Sequence, residues 1–306
     1  MMNRCPRCLS LRMALGHPVT ISDEVRTEIL NRLHHAETEH AVRILYACES
    51  GSRAWNFASP DSDYDVRFVY VRPQDWYLSF DVERKRDVIE YPIVDLIDCN
   101  GWDVRKALYL FTRTNGALLE WFNSPIRYIE RGAFAPRMRE LAPRAFDPKA
   151  LCYHYSSMAR GNAREYVFND PMRLKKYFYV LRPLFAIRYI EQGLGVPPVP
   201  FDELAAAVAP AHLHDALDQL LALKRSTGEM GLGDPIPVIG EFIASELARH
   251  GDGFSGAGRP ELNEGHAIRV ELNEIFRESI RDEQPLFGQT ISSAERGALG
   301  DGNVNS

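Results

Sequence analysis

Apolar positions in residues 21–35 recur at helical spacing. Val25, Ile29, Leu30 and Leu33 share one face, and Ser22 or Asp23 stands where a cap is needed. Residues 42–48, VRILYAC, form an apolar run that reads as a strand. Glu49-Ser50-Gly51-Ser52-Arg53 follows as a tight turn, and residues 56–62, NFASPDS, are turn-forming throughout. Residues 63–71, DYDVRFVYV, alternate with the period of a half-buried strand. Asp63, Asp65 and Arg67 fall on one face, and Tyr64, Val66, Phe68 and Tyr70 on the other. The pattern predicts a further strand over 87–98, where Pro92 forces an irregularity or an edge. Residues 100–124 read as helical, with Asn100 as cap, Asp103 imitating a capping box, and Gly116 dividing two helices.

From about residue 147 the texture changes. Segments 148–168, 171–192, 202–207, 211–227 and 238–250 read as helices, 251–266 as loop, and 266–281 as a last helix. Pro183 predicts a kink in its helix. The fold class expected is α/β (α+β): a mixed-sheet domain over 19–146, then a mainly helical domain over 147–285. Tails at 1–18 and 286–306 complete the chain, the second expected to be disordered.

Composition narrows the class. The chain has 306 residues, 45% hydrophobic and 25% charged, with a net charge of -6, so no global basic field points to non-specific nucleic-acid binding. No apolar run is long enough for a membrane helix, and the N-terminus lacks the apolar core of a signal peptide, so a cytoplasmic protein without membrane partners is expected. Five cysteines at irregular spacing argue against a disulfide framework, and the lone Cys5-Pro-Arg-Cys8 pair reads as part of a loose tail.

Gly51-Ser52 is separated by ten residues from Asp63-Tyr64-Asp65. Glycine admits a bulky anion close to the backbone, a helix start offers free N–H groups, and serine adds a hydroxyl; together they suit a triphosphate. Two carboxylates two residues apart on a strand point the same way and repel unless a cation joins them. Mg2+ (or Mn2+) with phosphate oxygens meets that need. Strand, GS, turn, DxD and strand in that order therefore point to metal-assisted phosphoryl or nucleotidyl transfer.

The segment GSRAWNFASPDSDYDVRFVYVRP resembles the nucleotidyltransferases of the DNA-polymerase-β superfamily. With DCNGWDVRKAL, LLEWFNSP, YHYSSMARGN and KKYFYVLRPLFAIRYIEQGLGVPPVPFDEL, the chain is similar to the YcgL-type predicted nucleotidyltransferases, a group also found beside RNA ligases. The likeness spans roughly residues 25–245. It implies a polymerase-β-like α/β domain that transfers NMP from a nucleoside triphosphate to a hydroxyl acceptor, an RNA end among the candidates, with release of pyrophosphate. It also implies a third carboxylate beside Asp63 and Asp65, as metal ligand or as base. Asp95 and Asp98 are the candidates; the resemblance favours Asp98, and Asp103 reads as a helix cap. The same fold also serves in nucleotide or RNA sensors and in toxin–antitoxin-type interaction proteins, which stand as alternatives.

Other residues fill expected roles. Arg53 and Arg67 are candidates for nucleotide phosphates, Arg67 with a strand-face salt bridge as its alternative; Lys106 is a weaker candidate. Residues 158–190 form a local basic patch in which Lys175, Lys176 and Arg182 are the nucleotide-binding candidates, and Tyr177 and Tyr179 are placed to stack on a base. Trp55, Trp102 and Trp121 read as packing residues, Trp55 near enough to flank a base; His154 reads as a hydrogen-bonded packing residue.

Overall fold

The computed structural model describes residues 20–59, 61–166, 176–226, 235–250 and 262–281. The Cys5-Cys8 pair and Lys175 lie outside these residues. Five strands form one sheet: β1 (Arg43–Glu49), β2 (Tyr64–Val71), β3 (Val88–Glu90), β4 (Ile97–Asp103) and β5 (Arg127–Glu130). Their order across the sheet is β3-β4-β2-β1-β5. β2 and β4 run parallel, and every other pair is antiparallel.

A parallel neighbour needs a crossover. Residues 72–96 supply it and return through β3, which pairs antiparallel with β4. One strand over 87–98 is therefore corrected to two. Pro92 lacks a ladder donor, and Asp95 and Leu96 reverse the chain with φ of 51° and 63°. Asn100, expected to cap a helix, lies inside β4 instead. The cap is Asp103, whose carboxylate accepts from the Arg105 N–H at 2.8 Å.

The helices are, in chain order, α1 (Asp23–His40), α2 (Gly51–Ala54), α3 (Gln74–Tyr77), α4 (Val104–Phe111), α5 (Gly116–Phe122) and α6 (Phe134–Ala145). They continue as α7 (Pro148–Tyr166), α8 (Lys176–Glu191), α9 (Phe201–Val208), α10 (His214–Ser226), α11 (Pro237–Arg249) and α12 (Leu262–Arg281). Ser22 caps α1, and Asn115 caps α5 by accepting from the Leu118 N–H at 2.9 Å. No helix among the described residues is long and apolar enough to cross a membrane.

The sheet separates two apolar layers. Ile29, Leu33 and Ala36 of α1 cover the face that carries Val66, Phe68 and Tyr70. The opposite face carries Val69 and Val71 and continues through α4–α6 into α7, α8 and α9 as one apolar cluster. Met138 and Leu141 of α6 and Leu151 and Tyr155 of α7 belong to that cluster, so packing is continuous on both sides of residue 147. Asp65 and Arg67 alternate with Val66 and Phe68, which places them on the face that meets the helical half.

A buried polar knot ties the halves together. Glu120 on α5 accepts from Trp55 Nε1 at 2.9 Å, from the Tyr155 hydroxyl at 2.9 Å and from Arg182 Nη1 at 2.8 Å. The Arg182 guanidinium also donates to the Val199 carbonyl and lies 4.6 Å from the centre of the Trp55 ring. Arg182 is 0% exposed, so the phosphate-binding role expected of it is corrected: burial removes it from any solvent-borne ligand. Arg188 likewise pairs with Glu246 at 3.1 Å, and Tyr177 is buried with its hydroxyl accepting from the Ile236 N–H.

Removing one partner of a buried pair leaves the other charge uncompensated. Arg182→Ala should lower unfolding free energy by about 3–5 kcal/mol, measured by urea denaturation. An exposed surface arginine such as Arg86 should cost under about 0.5 kcal/mol when replaced by alanine.

Candidate active site

β1 delivers Glu49 and then the GS turn. Gly51 has φ of 58°, a region that favours glycine. A Cβ at this position would lie 2.1 Å from Asp65 Oδ2, so the Asp65 carboxylate rests directly against the Gly51 backbone. The Ser50 N–H donates to the Asp65 carbonyl at 2.8 Å and fixes the turn to the start of β2. The two halves of the GS and DxD pattern are thus one contact surface.

Asp98 stands opposite Asp65 in the register of the parallel pair β2–β4. Asp95 does not join them: it sits on the turn before β4, 81% exposed at its side chain, and pairs with Arg32 at 3.1 Å. Arg67 lies between the two strand carboxylates, 2.9 Å from Asp65 and 2.7 Å from Asp98. Asn100 donates to the other Asp98 oxygen at 2.6 Å. Asp63 is exposed just before β2. Burial, then the neighbouring Asp98 and Asp63 charges, push the Asp65 carboxyl up, and Arg67 works against them. Among the described residues, no group of three His, Cys, Asp or Glu side chains is gathered as a ready metal shell.

Arg53 serves the backbone here. It is buried, donates to the carbonyls of Ser62 and Asp63 at 2.5 and 3.2 Å, and covers the Tyr64 ring at 3.8 Å. It anchors the turn that presents Asp63, which differs from the phosphate contact expected of it. Lys106 pairs with Asp87 at 2.9 Å on the far side of β4.

The helical half reaches the site through Tyr179. Its hydroxyl lies beside Ser52, and its ring meets Phe57 and Trp55 edge-on at 5.3 and 5.9 Å. Lys176, one turn earlier on α8, holds its ammonium 5.0 Å from the centre of that ring. Trp102 and Trp121 pack ring against ring at 4.0 Å.

Glu49 was not among the expected site residues. It is fully buried at the end of β1, accepting from the Asp65 N–H at 2.9 Å and from the Tyr128 hydroxyl. Burial raises its carboxyl to about 7. Its signal in the sequence was a lone carboxylate ending an apolar strand immediately before GS.

Residues 25–277 match the RNA repair pathway DNA polymerase beta family, RlaP. The chain belongs to this family. The uncharacterized protein YcgL of Bacillus subtilis (strain 168) is 46% identical over 259 residues, which cover 84% of this chain and 97% of that protein. The crystal structure of a nucleotidyltransferase-like protein from Exiguobacterium sibiricum 255-15 matches 83% of this chain and 91% of its own, at 12% identity and a TM-score of 0.29.

Two predictions follow from the Asp65 surroundings. Gly51→Ala should strain the turn and displace the Asp65 carboxylate, lowering the melting temperature by several degrees; a thermal melt indistinguishable from wild type would overturn the contact. Glu49 is raised from 4.5, so its stabilising contribution is complete below that pH and disappears as the pH rises through about 7. Urea denaturation of cation-stripped protein should show stability falling across that window, with Glu49→Gln flattening the slope.

Proposed function

We propose that the chain is a metal-dependent nucleotidyltransferase that moves NMP from a nucleoside triphosphate to a hydroxyl acceptor, an RNA end, with pyrophosphate as leaving group. One observation carries this reading: the Asp65 carboxylate lies against Gly51 of the GS turn and in register with Asp98. A phosphate-sized anion at the turn is then beside the carboxylates that hold its counter-ion.

The donor set fits a hard divalent cation. Asp63, Asp65 and Asp98 offer only carboxylate oxygens, and two of them already converge on the positive charge of Arg67. When bound, Mg2+ or Mn2+ would supply neutralisation of the triphosphate and polarisation of the attacked phosphorus. Gly51 and Ser52 bind the β and γ phosphates, with Tyr179 and Lys176 closing over the serine. Asp98 takes the proton of the acceptor hydroxyl. The acceptor oxygen bonds to the α-phosphorus as the bond to the β-phosphate oxygen breaks. Arg67, released from its two carboxylates, is within reach of the same phosphates.

Full-length protein with each labelled nucleoside triphosphate, Mg2+ and total RNA should yield labelled RNA and pyrophosphate. Asp63→Asn with Asp65→Asn should reduce transfer by at least about a thousand-fold while circular dichroism is unchanged. Equal transfer by the double variant overturns the assignment. Tight triphosphate binding with no pyrophosphate released would favour a nucleotide sensor instead.

A further inference from the structure

We propose that the cleft between the turn after α4 and the side of α7 seats single-stranded RNA, with one base against Tyr153 and phosphates on Arg113 and Lys149. The cleft measures about 520 Å3, room for a nucleotide. Arg113, Thr114, Asn115, Tyr153, His154 and Ser157 give it its polar lining, and among the described residues no carboxylate lines it. That lining repels no phosphate and offers several donors.

Each group has a physical reason to be there. Tyr153 is 61% exposed, a large ring held out on a helix where a base can stack. Arg113 leans on the Tyr109 hydroxyl at 2.8 Å and has no carboxylate partner among the described residues. The Asn115 oxygen is spent on capping α5, which leaves its amide nitrogen as a donor. The Cδ2–Nε2 edge of His154 packs on Gly116, where a Cβ would lie 2.4 Å from Cδ2, and Nε2 is buried without a hydrogen-bond partner among the described residues. The opposite edge, with Nδ1, is therefore the one left for the cleft. Burial holds this imidazole below its ordinary range, so near neutral pH it is uncharged and suited to a base edge rather than a phosphate.

The cleft continues into further basic positions along α7. Lys149, Tyr153, Ser157, Arg160 and Arg164 fall on one face of α7 at successive turns. They span roughly 22 Å at about 1.5 Å per residue. A basic track interrupted by an aromatic ring is the arrangement that follows a flexible strand without reading its sequence. Cleft and GS turn also share a support. Gly116 begins α5 at the cleft, and Glu120, one turn later, holds Trp55 behind the GS turn.

The inference rests on the proposed function only in taking this strand as the acceptor. Fluorescence anisotropy of the whole chain with a labelled short oligoribonucleotide, without triphosphate or metal, tests the cleft by itself. Wild type should bind with an affinity that falls as salt rises. Tyr153→Ala with Arg113→Glu, both exposed positions, should weaken binding by about ten-fold or more while the melting temperature holds. Unchanged affinity in that variant overturns the proposal, as does a mononucleotide that binds as tightly as the oligonucleotide. A chain that binds RNA through these residues yet never releases pyrophosphate would leave this inference standing and overturn the catalytic one.

Discussion

Glu120 is a carboxylate taken out of water, and burial of such a charge is tolerated only where donors surround it. Three donors do so, one from each of three parts of the chain: Trp55 from behind the GS turn, Tyr155 from α7 and Arg182 from α8. Because the carboxylate must keep all three, the helical half cannot slide over the sheet without leaving a polar group unmet. The position of α8 follows, and with it the reach of Tyr179 to Ser52. Trp55 is fixed a second time by its carbonyl, which accepts from the Phe201 N–H at 2.9 Å. The geometry of the GS turn is therefore set by electrostatics at a distance from it.

Much of this was legible in the chain. The alternation of 63–71 placed Asp65 and Arg67 on one face and Val66, Phe68 and Tyr70 on the other, as the two apolar layers confirm. Gly116 does divide two helices. Other elements were hidden for identifiable reasons. β4 alternates from Ile97 to Asp103, but Gly101 interrupts the apolar series and Asn100 resembles a cap. α6 contains Pro136 and Pro143, yet the first falls in the opening turn, where its missing N–H has no intrahelical partner to lose. β5 is four residues long and carries arginine and glutamate at its ends.

Basic residues were the hardest to read. Helical spacing alone does not say which side of a helix meets protein. α8 is buried on nearly every side, so its arginines turn inward to Glu120 and Glu246. α7 contributes only one side to the core and keeps Lys149, Tyr153 and Arg164 exposed. Charge on a helix informs about partners only once the burial of that helix is known.

Phe68 and Gly101 face each other across the parallel pair, and a Cβ at Gly101 would lie 2.1 Å from the Phe68 ring. The ring occupies the volume a side chain on β4 would need, on the face opposite the aspartates. Any residue larger than glycine would wedge the two strands apart three positions from Asp98. The phenyl group thus acts as a spacer gauge: it sets the separation of Asp65 and Asp98 from behind the sheet, where no substrate, ion or solvent can disturb the setting.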